Sequence, residues 1–298
     1  MTTISVEHLY KSYNGEAAVK DLTFSVGPGE ILGLIGPNGA GKSSTIKIIL
    51  DFMKPDSGEV ELFGQSMCEI TKNKIGYLPE AKGLYKDLSA IECILYLASL
   101  KGMDKVAAKK RADELLQQTG MLDSKKKKIK HMSKGMAQIS QFIVTIIHEP
   151  ALLIMDEPFS GLDPVNTELM KNMVSQLRDE GKAIVLSTHQ MNQVEELCDR
   201  VLMINHGEEV LYGDLNQIKS RFKKHSVQVS VDEDFGDLPG VIQKRFNKEG
   251  VELVLAEDTS PQTILDQLRA QSTNINRFEI TTPSLHTIFL HMAGGNHE

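Results

Sequence analysis

The stretch "GPNGAGKSS", residues 36–44, fits the pattern G-x-x-x-x-G-K-[ST]. It lies between "EILGLI" (30–35), of strand composition, and "STIKIILDF" (44–52), a helical run, which is the setting this pattern requires. Gly36, Gly39 and Gly41 let the backbone turn tightly and aim N–H groups at phosphate oxygens. Lys42 is placed to reach a β- and γ-phosphate, Ser43 to hold Mg²⁺, and the positive end of the following helix adds to both. Pro37, Asn38, Ala40 and Ser44 complete this phosphate-binding loop. Such a loop surrounds only one side of a nucleotide, and the rest of the sequence must supply the other.

A second stretch, "LLIMDEP" (152–158), is an apolar run ending in two acids. Alone it reads as a buried strand reaching the surface. Beside a phosphate loop it becomes a Mg²⁺ arm, in which Asp156 acts through the metal's coordination shell. Glu157, expected on the opposite face of the strand, can polarise an attacking water. No [NT]KxD guanine-reading motif follows, so a GTPase reading is disfavoured.

Around these motifs the chain alternates strands and helices. "TISVEHLY", "AVKDLTFSV", "EILGLIG" and "EVELFG" have strand composition and are separated by "PG", "NG" and "SG". From about 87 to 149 the character is helical, and from 151 to about 220 strands and helices alternate again, as in "ALLIMD", "PVNTELMKNMVSQLRDEG", "AIVLSTH" and "MNQVEELCD". This pattern predicts an α/β fold with a largely parallel sheet and an inserted helical subdomain. After residue 221 it restarts with strand-like "HSVQVSV" and "VELVLA", helical "PQTILDQLRAQ", strand-like "RFEITT" and helical "PSLHTIFLHMA", a small α+β appendage.

Composition narrows the class. A chain of 298 residues with 41% hydrophobic content can bury a core in one large and one smaller domain. A formal net charge of −7 argues against a mainly nucleic-acid-binding role. Cys68, Cys93 and Cys198 are widely spaced, with no metal-ligand cluster around them, which points to a reducing compartment. The N-terminus lacks the apolar core of a signal peptide and no apolar run is long enough to cross a bilayer, so a soluble chain is expected. The run Lys125–Lys128 with Lys130 reads as a solvated loop, with contact to anionic lipid as the alternative.

"MSKGMAQ" (132–138) bears on the open side of the phosphate loop. Ser133 is a good N-cap, and Met136, Ile139, Ile143 and Ile146 recur at helical spacing behind it. Free N–H groups, the Ser133 hydroxyl and Gly135 together make an anion site, although any capped helix offers as much.

Taken in order, "GPNGAGKSS", "MSKGMAQ", "LLIMDEP", "SGLD" (160–163) and "STH" (187–189) resemble the Walker A, signature, Walker B, D-loop and switch-histidine segments of the ATP-binding subunits of ATP-binding cassette transporters. "YLPE" (77–80) is similar to the Q-loop, with Glu80 where Gln is usual, and Tyr13 falls where the family places an aromatic under adenine. The tail, with "RFEITTPSLHTIFLHMAG" (277–294), resembles the accessory domain of bacterial exporter ATPases for drug or sodium extrusion.

The resemblance implies a P-loop NTPase cassette over 1–220, with an antiparallel β subdomain and a helical subdomain at about 87–149, followed by an α+β domain over 221–298. It implies an ATPase using ATP and Mg²⁺ and coupled to transport, peripheral on the cytoplasmic face of the membrane. Its partners would be a separate permease and a second copy of the chain, with no nucleic acid. Lys42, Glu157 and His189 would be catalytic; Ser43, Asp156 and Glu80 would meet the metal; Tyr13 and residues 36–44 would hold the nucleotide. Ser133, Gly135, Gln138 and Asp163 would meet the nucleotide held by the partner copy.

"MSKGMAQ" departs from the commonest pattern, L-S-G-G-Q. Lys134 and Met136 replace Gly and Gln, and Ile139 stands where a basic residue is frequent. Lys134 either adds charge near a phosphate or points to water. The rival reading is a soluble ABC ATPase acting on nucleic acid or ribosomes. Paired cassettes, a coiled-coil insertion or basic tails would mark it, and this sequence carries none. A regulatory nucleotide-binding module with little turnover is a third.

Overall fold

A computed structural model of the protein describes residues 2–81, 83–222, 226–232, 235–247, 250–256, 258–271, 274–281 and 284–294. They form two compact units, Met1–Tyr212 and Gly213–Glu298.

The first unit runs β1 (Ile4–Tyr13), β2 (Glu16–Val26), β3 (Ile31–Ile35), α1 (Lys42–Ile49), β4 (Ser57–Leu62), α2 (Glu69–Lys72) and β5 (Ile75–Leu78). Helices α3 (Ala90–Leu100), α4 (Lys105–Gln118) and α5 (Lys134–Ile146) follow. It continues with β6 (Leu152–Asp156), α6 (Pro164–Asp179), β7 (Ala183–Thr188), α7 (Met191–Leu197), β8 (Arg200–Asn205) and β9 (Glu208–Asp214).

The main sheet has the order β5-β6-β7-β3-β8-β9, and the pairs from β5 to β8 are parallel. Every residue of β3, β6 and β7 is buried, as expected for central strands covered on both faces, and this is why they read as unbroken apolar runs. His206 and Gly207, both at positive φ, close a two-residue turn between β8 and β9, the type I′ geometry that suits hairpin twist. Asn14 and Gly15 make the same turn between β1 and β2, which with β4 form the antiparallel sheet β2-β1-β4.

The helical insertion is α3, α4 and α5, which pack on one another. A capping box joins Ser89 and Glu92 at the start of α3, and Asp104 caps α4. Within the lysine run, Lys125 pairs with Asp113 and Lys130 with Asp87, so two of these charges tie their loop to the insertion.

The second unit holds α8 (Leu215–Phe222), β10 (Ser226–Val231), β11 (Val241–Asn247), β12 (Gly250–Leu255), α9 (Pro261–Ala270), β13 (Ile275–Ile280) and α10 (Leu285–Gly294). Its antiparallel sheet has the order β11-β12-β10-β13, and Ile264 and Leu268 of α9 close a core with Val227, Val229 and Leu253. The contact boundary at 212/213 precedes the expected 220/221, because α8 buries Leu215 and Ile218 and packs with α10. His225 of the first strand expected here, and Thr282 and Pro283 at the later junction, lie outside the described residues.

Candidate functional site

The register of the parallel strands assembles the site. Ile35, the last residue of β3, pairs with Thr188 of β7, and Asp156 of β6 pairs with Ser187. The residues that follow these strand ends therefore emerge side by side, at the carboxyl edge where open α/β sheets bind ligands. They line a cleft of about 280 Å³ together with residues 38–44, Glu80 and Ser160.

Residues 36–41 connect β3 to α1, and two of their glycines are fixed by packing. A Cβ at Gly36 would overlap the carbonyl oxygen of Ile204, and one at Gly41 the carbonyl of Ala18; both residues have positive φ. Gly39, also at positive φ, has open space around it. α1 starts at Lys42 with no side-chain cap, which leaves its first N–H groups directed at the cleft.

Lys42, only 7% exposed, donates from Nζ to the carbonyl oxygens of Gly36 (2.7 Å) and Pro37 (3.0 Å). Burial draws its pKa below the usual lysine value, while the carboxylates of Glu157, Asp156 and Glu80 oppose that shift. Ser43 donates from Oγ to Asp156 Oδ2 at 3.4 Å. Tyr13, at the end of β1, donates from its hydroxyl to Ser44 Oγ at 3.3 Å, so its ring stands beside the loop.

Glu157 differs from the sequence expectation. It does not continue the alternation of β6, because at φ 48° it turns the chain in the left-handed region and enters the same cleft as Asp156. Such a conformation at a charged residue 9% exposed is local strain held by its surroundings. Oε1 accepts from the backbone N–H of His189 (2.9 Å) and lies 2.7 Å from His189 Nδ1, and Oε2 accepts from Thr188 Oγ (3.2 Å). A carboxylate oxygen needs a donor, so Nδ1 carries the proton in this pair and Nε2 is left for the cleft.

The signature segment stands elsewhere. Ser133 caps α5 by accepting from the Met136 N–H at 3.2 Å and is exposed. None of Ser133, Gly135 and Gln138 lines the cleft of its own chain. Gln138 is buried, and its Nε2 donates to the carbonyl oxygen of Pro158 at 3.1 Å. Gly135 lies against Asp163 and Asn166, and Asp163 accepts from the Asn166 N–H as the N-cap of α6, one residue before Pro164. Lys134, exposed, crosses Gly161, so the side chain runs along the 160–163 loop.

Two contributors were not singled out from the sequence: Thr188, the hydroxyl inside "STH", and Gln141, whose spacing of three from Gln138 was the available signal. Among the described residues no group of three His, Cys, Asp or Glu is placed to hold a metal alone. The oxygen donors Ser43 and Asp156 fit Mg²⁺ of the kind completed by substrate phosphates.

Residues 19–160 match the family described as "ABC transporter", and residues 213–293 match "ATP-binding protein DrrA1-3-like, C-terminal domain". The chain is 38% identical to the uncharacterized ABC transporter ATP-binding protein YhaQ of Bacillus subtilis, over 99% of this chain and 100% of that one. It is 33% identical to the linearmycin resistance ATP-binding protein LnrL of the same organism, over 98% of each. A solved structure described as the ATP binding subunit of an ABC transporter matches with TM-score 0.69 and 32% identity, covering 74% of this chain and 93% of that one.

Proposed function

This chain belongs to the ABC transporter ATP-binding proteins, which hydrolyse ATP to drive transport, and from that premise we propose that it energises export through a separate membrane permease. Export is supported by the DrrA1-3-like C-terminal match and by the likeness to a linearmycin resistance protein. The ATP-binding domain is assigned to 1–220 and the accessory domain to 221–298, whereas the compact units divide at 212/213, ahead of α8.

Each residue's task follows from its chemistry. Residues 36–44 cradle the phosphates with backbone N–H groups, and Lys42 exchanges its two carbonyl partners for phosphate oxygens. Tyr13 stacks under the adenine. Ser43 and Asp156 would hold Mg²⁺, which would supply positive charge against that of the phosphates, and Glu80, lining the same cleft, would meet the metal or its water. Glu157 accepts the proton of the attacking water as its oxygen bonds to the γ-phosphorus and the bond to the β-phosphate oxygen breaks. His189 hydrogen-bonds the γ-phosphate through Nε2 and steadies Glu157 through Nδ1, with both ring nitrogens acting as donors while the nucleotide is bound.

The observation that carries this reading is that one chain assembles the phosphate loop, both acids and the histidine in a cleft that its own Ser133 does not reach. A second copy placed head to tail supplies Ser133, Gly135 and the loop of Asp163 to that open side, giving two shared sites. ATP closes the pair and hydrolysis releases it.

A permease helix docks in an apolar groove of about 390 Å³ lined by Phe52, Tyr77, Leu97 and Leu100, next to the Glu80 segment. Phe52 and Leu100 expose 67% and 63% of their surface, hydrophobic area that a partner would cover. Among the described residues no helix is long and apolar enough to cross a membrane. In this proposal the permease holds the chain peripherally on the cytoplasmic face. The test is purification from gently solubilised membranes with identification of what stays bound. An integral membrane protein in stoichiometric amount is expected, and ribosomes in its place would overturn the reading.

A further inference from the structure

Helix α5 is buried nearly all round, yet one of its faces is polar. Gln138, Gln141 and Thr145, spaced by three and four residues, form a stripe that is buried along its whole length. The Thr145 hydroxyl lies 3.0 Å from the Gln141 carbonyl oxygen of its own helix and 3.3 Å from the Tyr77 carbonyl oxygen, and shares its one proton between them. Gln141 donates from Nε2 to the carbonyl oxygens of Pro79 (3.3 Å) and Ala81 (3.2 Å). Gln138 donates to the Pro158 carbonyl, immediately after Glu157. One rigid helix thus grips the backbone next to both acids that face Lys42 from loops.

The Gln141 contact brackets Glu80. Two carbonyl oxygens on the same side fix the orientation of the amide, because a flipped amide would set an acceptor against two acceptors. Gln141 Oε1 is buried and accepts no hydrogen bond among the described residues. A methionine of similar length would fill the space without that orphaned acceptor, so what the glutamine adds is the paired donation from Nε2.

We infer that Gln141 is a positioning residue for Glu80: its amide, donating to Pro79 and Ala81, holds the backbone so that the Glu80 carboxylate faces the metal side of the nucleotide cleft. The inference rests on the proposed role of Glu80 toward Mg²⁺. The same helix begins at Ser133, so the segment that reaches the partner's site and the segment that aims Glu80 move as one body.

The test uses the full-length chain with Gln141→Met, Glu80→Gln and both together. Two measurements are made: amide hydrogen exchange over residues 77–81 without nucleotide, and the ratio of dissociation constants of a β,γ-imido ATP analogue without and with Mg²⁺. Gln141→Met should speed exchange over 77–81. It should also reduce the Mg²⁺-dependent gain in affinity as Glu80→Gln does, by roughly tenfold, the scale of one interaction with a charged group. The double variant should be no weaker than Glu80→Gln alone, because the two act through one carboxylate.

An additive double variant, or unchanged exchange and an unchanged ratio in Gln141→Met, would overturn the inference while leaving the role of Glu80 standing. An unchanged ratio in Glu80→Gln would remove that role and the inference with it. Should Gln141→Met not fold, Gln141→Asn keeps the amide one methylene short of the carbonyls and carries the same expectations.

Discussion

Two helix starts in this chain are suited to phosphate, and they are built differently. α1 begins inside the sheet: its loop is locked by Gly36 against β8 and by Gly41 against Ala18, and it has no side-chain cap. α5 begins at the surface, with Ser133 as a conventional cap and no acid, lysine or histidine of its own cleft beside it. Anion binding at a helix N-terminus needs only free N–H groups, but hydrolysis needs a positioned base and metal ligands as well. The first helix start shares its cleft with Glu80, Asp156, Glu157 and His189 of the same chain, the groups proposed for those tasks. The second has only the anion-binding half, which is the ground for the proposed site completed by another copy.

The largest expected effect tests whether the two starts meet. Glu157→Gln keeps size and hydrogen bonding but removes the base, so hydrolysis should fall by roughly 10²–10⁴-fold. MgATP still binds, and light scattering should then show a dimer with nucleotide and a monomer without it. A variant that stays monomeric at saturating MgATP, with or without the permease, would break the comparison, since α5 would then have no second site to serve. Adding Ser133→Arg should return the monomer, because a long side chain at the exposed start of α5 obstructs the facing phosphate despite its favourable charge.

Smaller effects sharpen the contrast in construction. Gly39→Ala faces open space and should cost only about 1–2 kcal/mol for its left-handed backbone. Gly36→Ala should cost more, since its Cβ also collides with the Ile204 carbonyl; denaturant midpoints measure both.

A pH effect belongs to the far end of α5. Burial holds His148 at a pKa of about 4, with Nε2 donating to the Ile75 carbonyl oxygen and Nδ1 buried without a donor among the described residues. Between pH 4 and about 6.5 the unfolded chain binds a proton there that the folded chain refuses. Folding stability should therefore fall as pH drops through that window, and His148→Gln should flatten the dependence of the melting temperature. The smallest effect is expected from removing residues 215–298. The nucleotide cleft lies wholly in the first unit, so ATP affinity should be nearly unchanged in a binding titration.

Legibility in the sequence followed burial. β3, β6 and β7 are buried on both faces, so their apolar runs and terminal motifs could be read directly. β11 went unread because it lies at a sheet edge, where Ile242 and Phe246 are exposed and Lys244 and Arg245 interrupt any alternation. β5, only four residues long, has no pattern of its own and is a strand because β6 pairs with it. The helical periodicity of α5 is carried by Met136, Ile139, Ile143 and Ile146, and an apolar period gives no sign of polar residues such as Gln141 that are buried on another face.

The sequence by itself determined the phosphate loop, the acids, the histidine and their order along the chain, because each is a local pattern whose chemistry needs those residue types at that spacing. Only the tertiary structure decided that Glu157 turns by a positive φ into the same cleft as Asp156, that Gln138 bonds inward to Pro158, and that Lys134 lies along Gly161. Side-chain direction at a strand end or a helix start depends on what the neighbouring strands and loops leave unpaired, and those neighbours are distant in sequence.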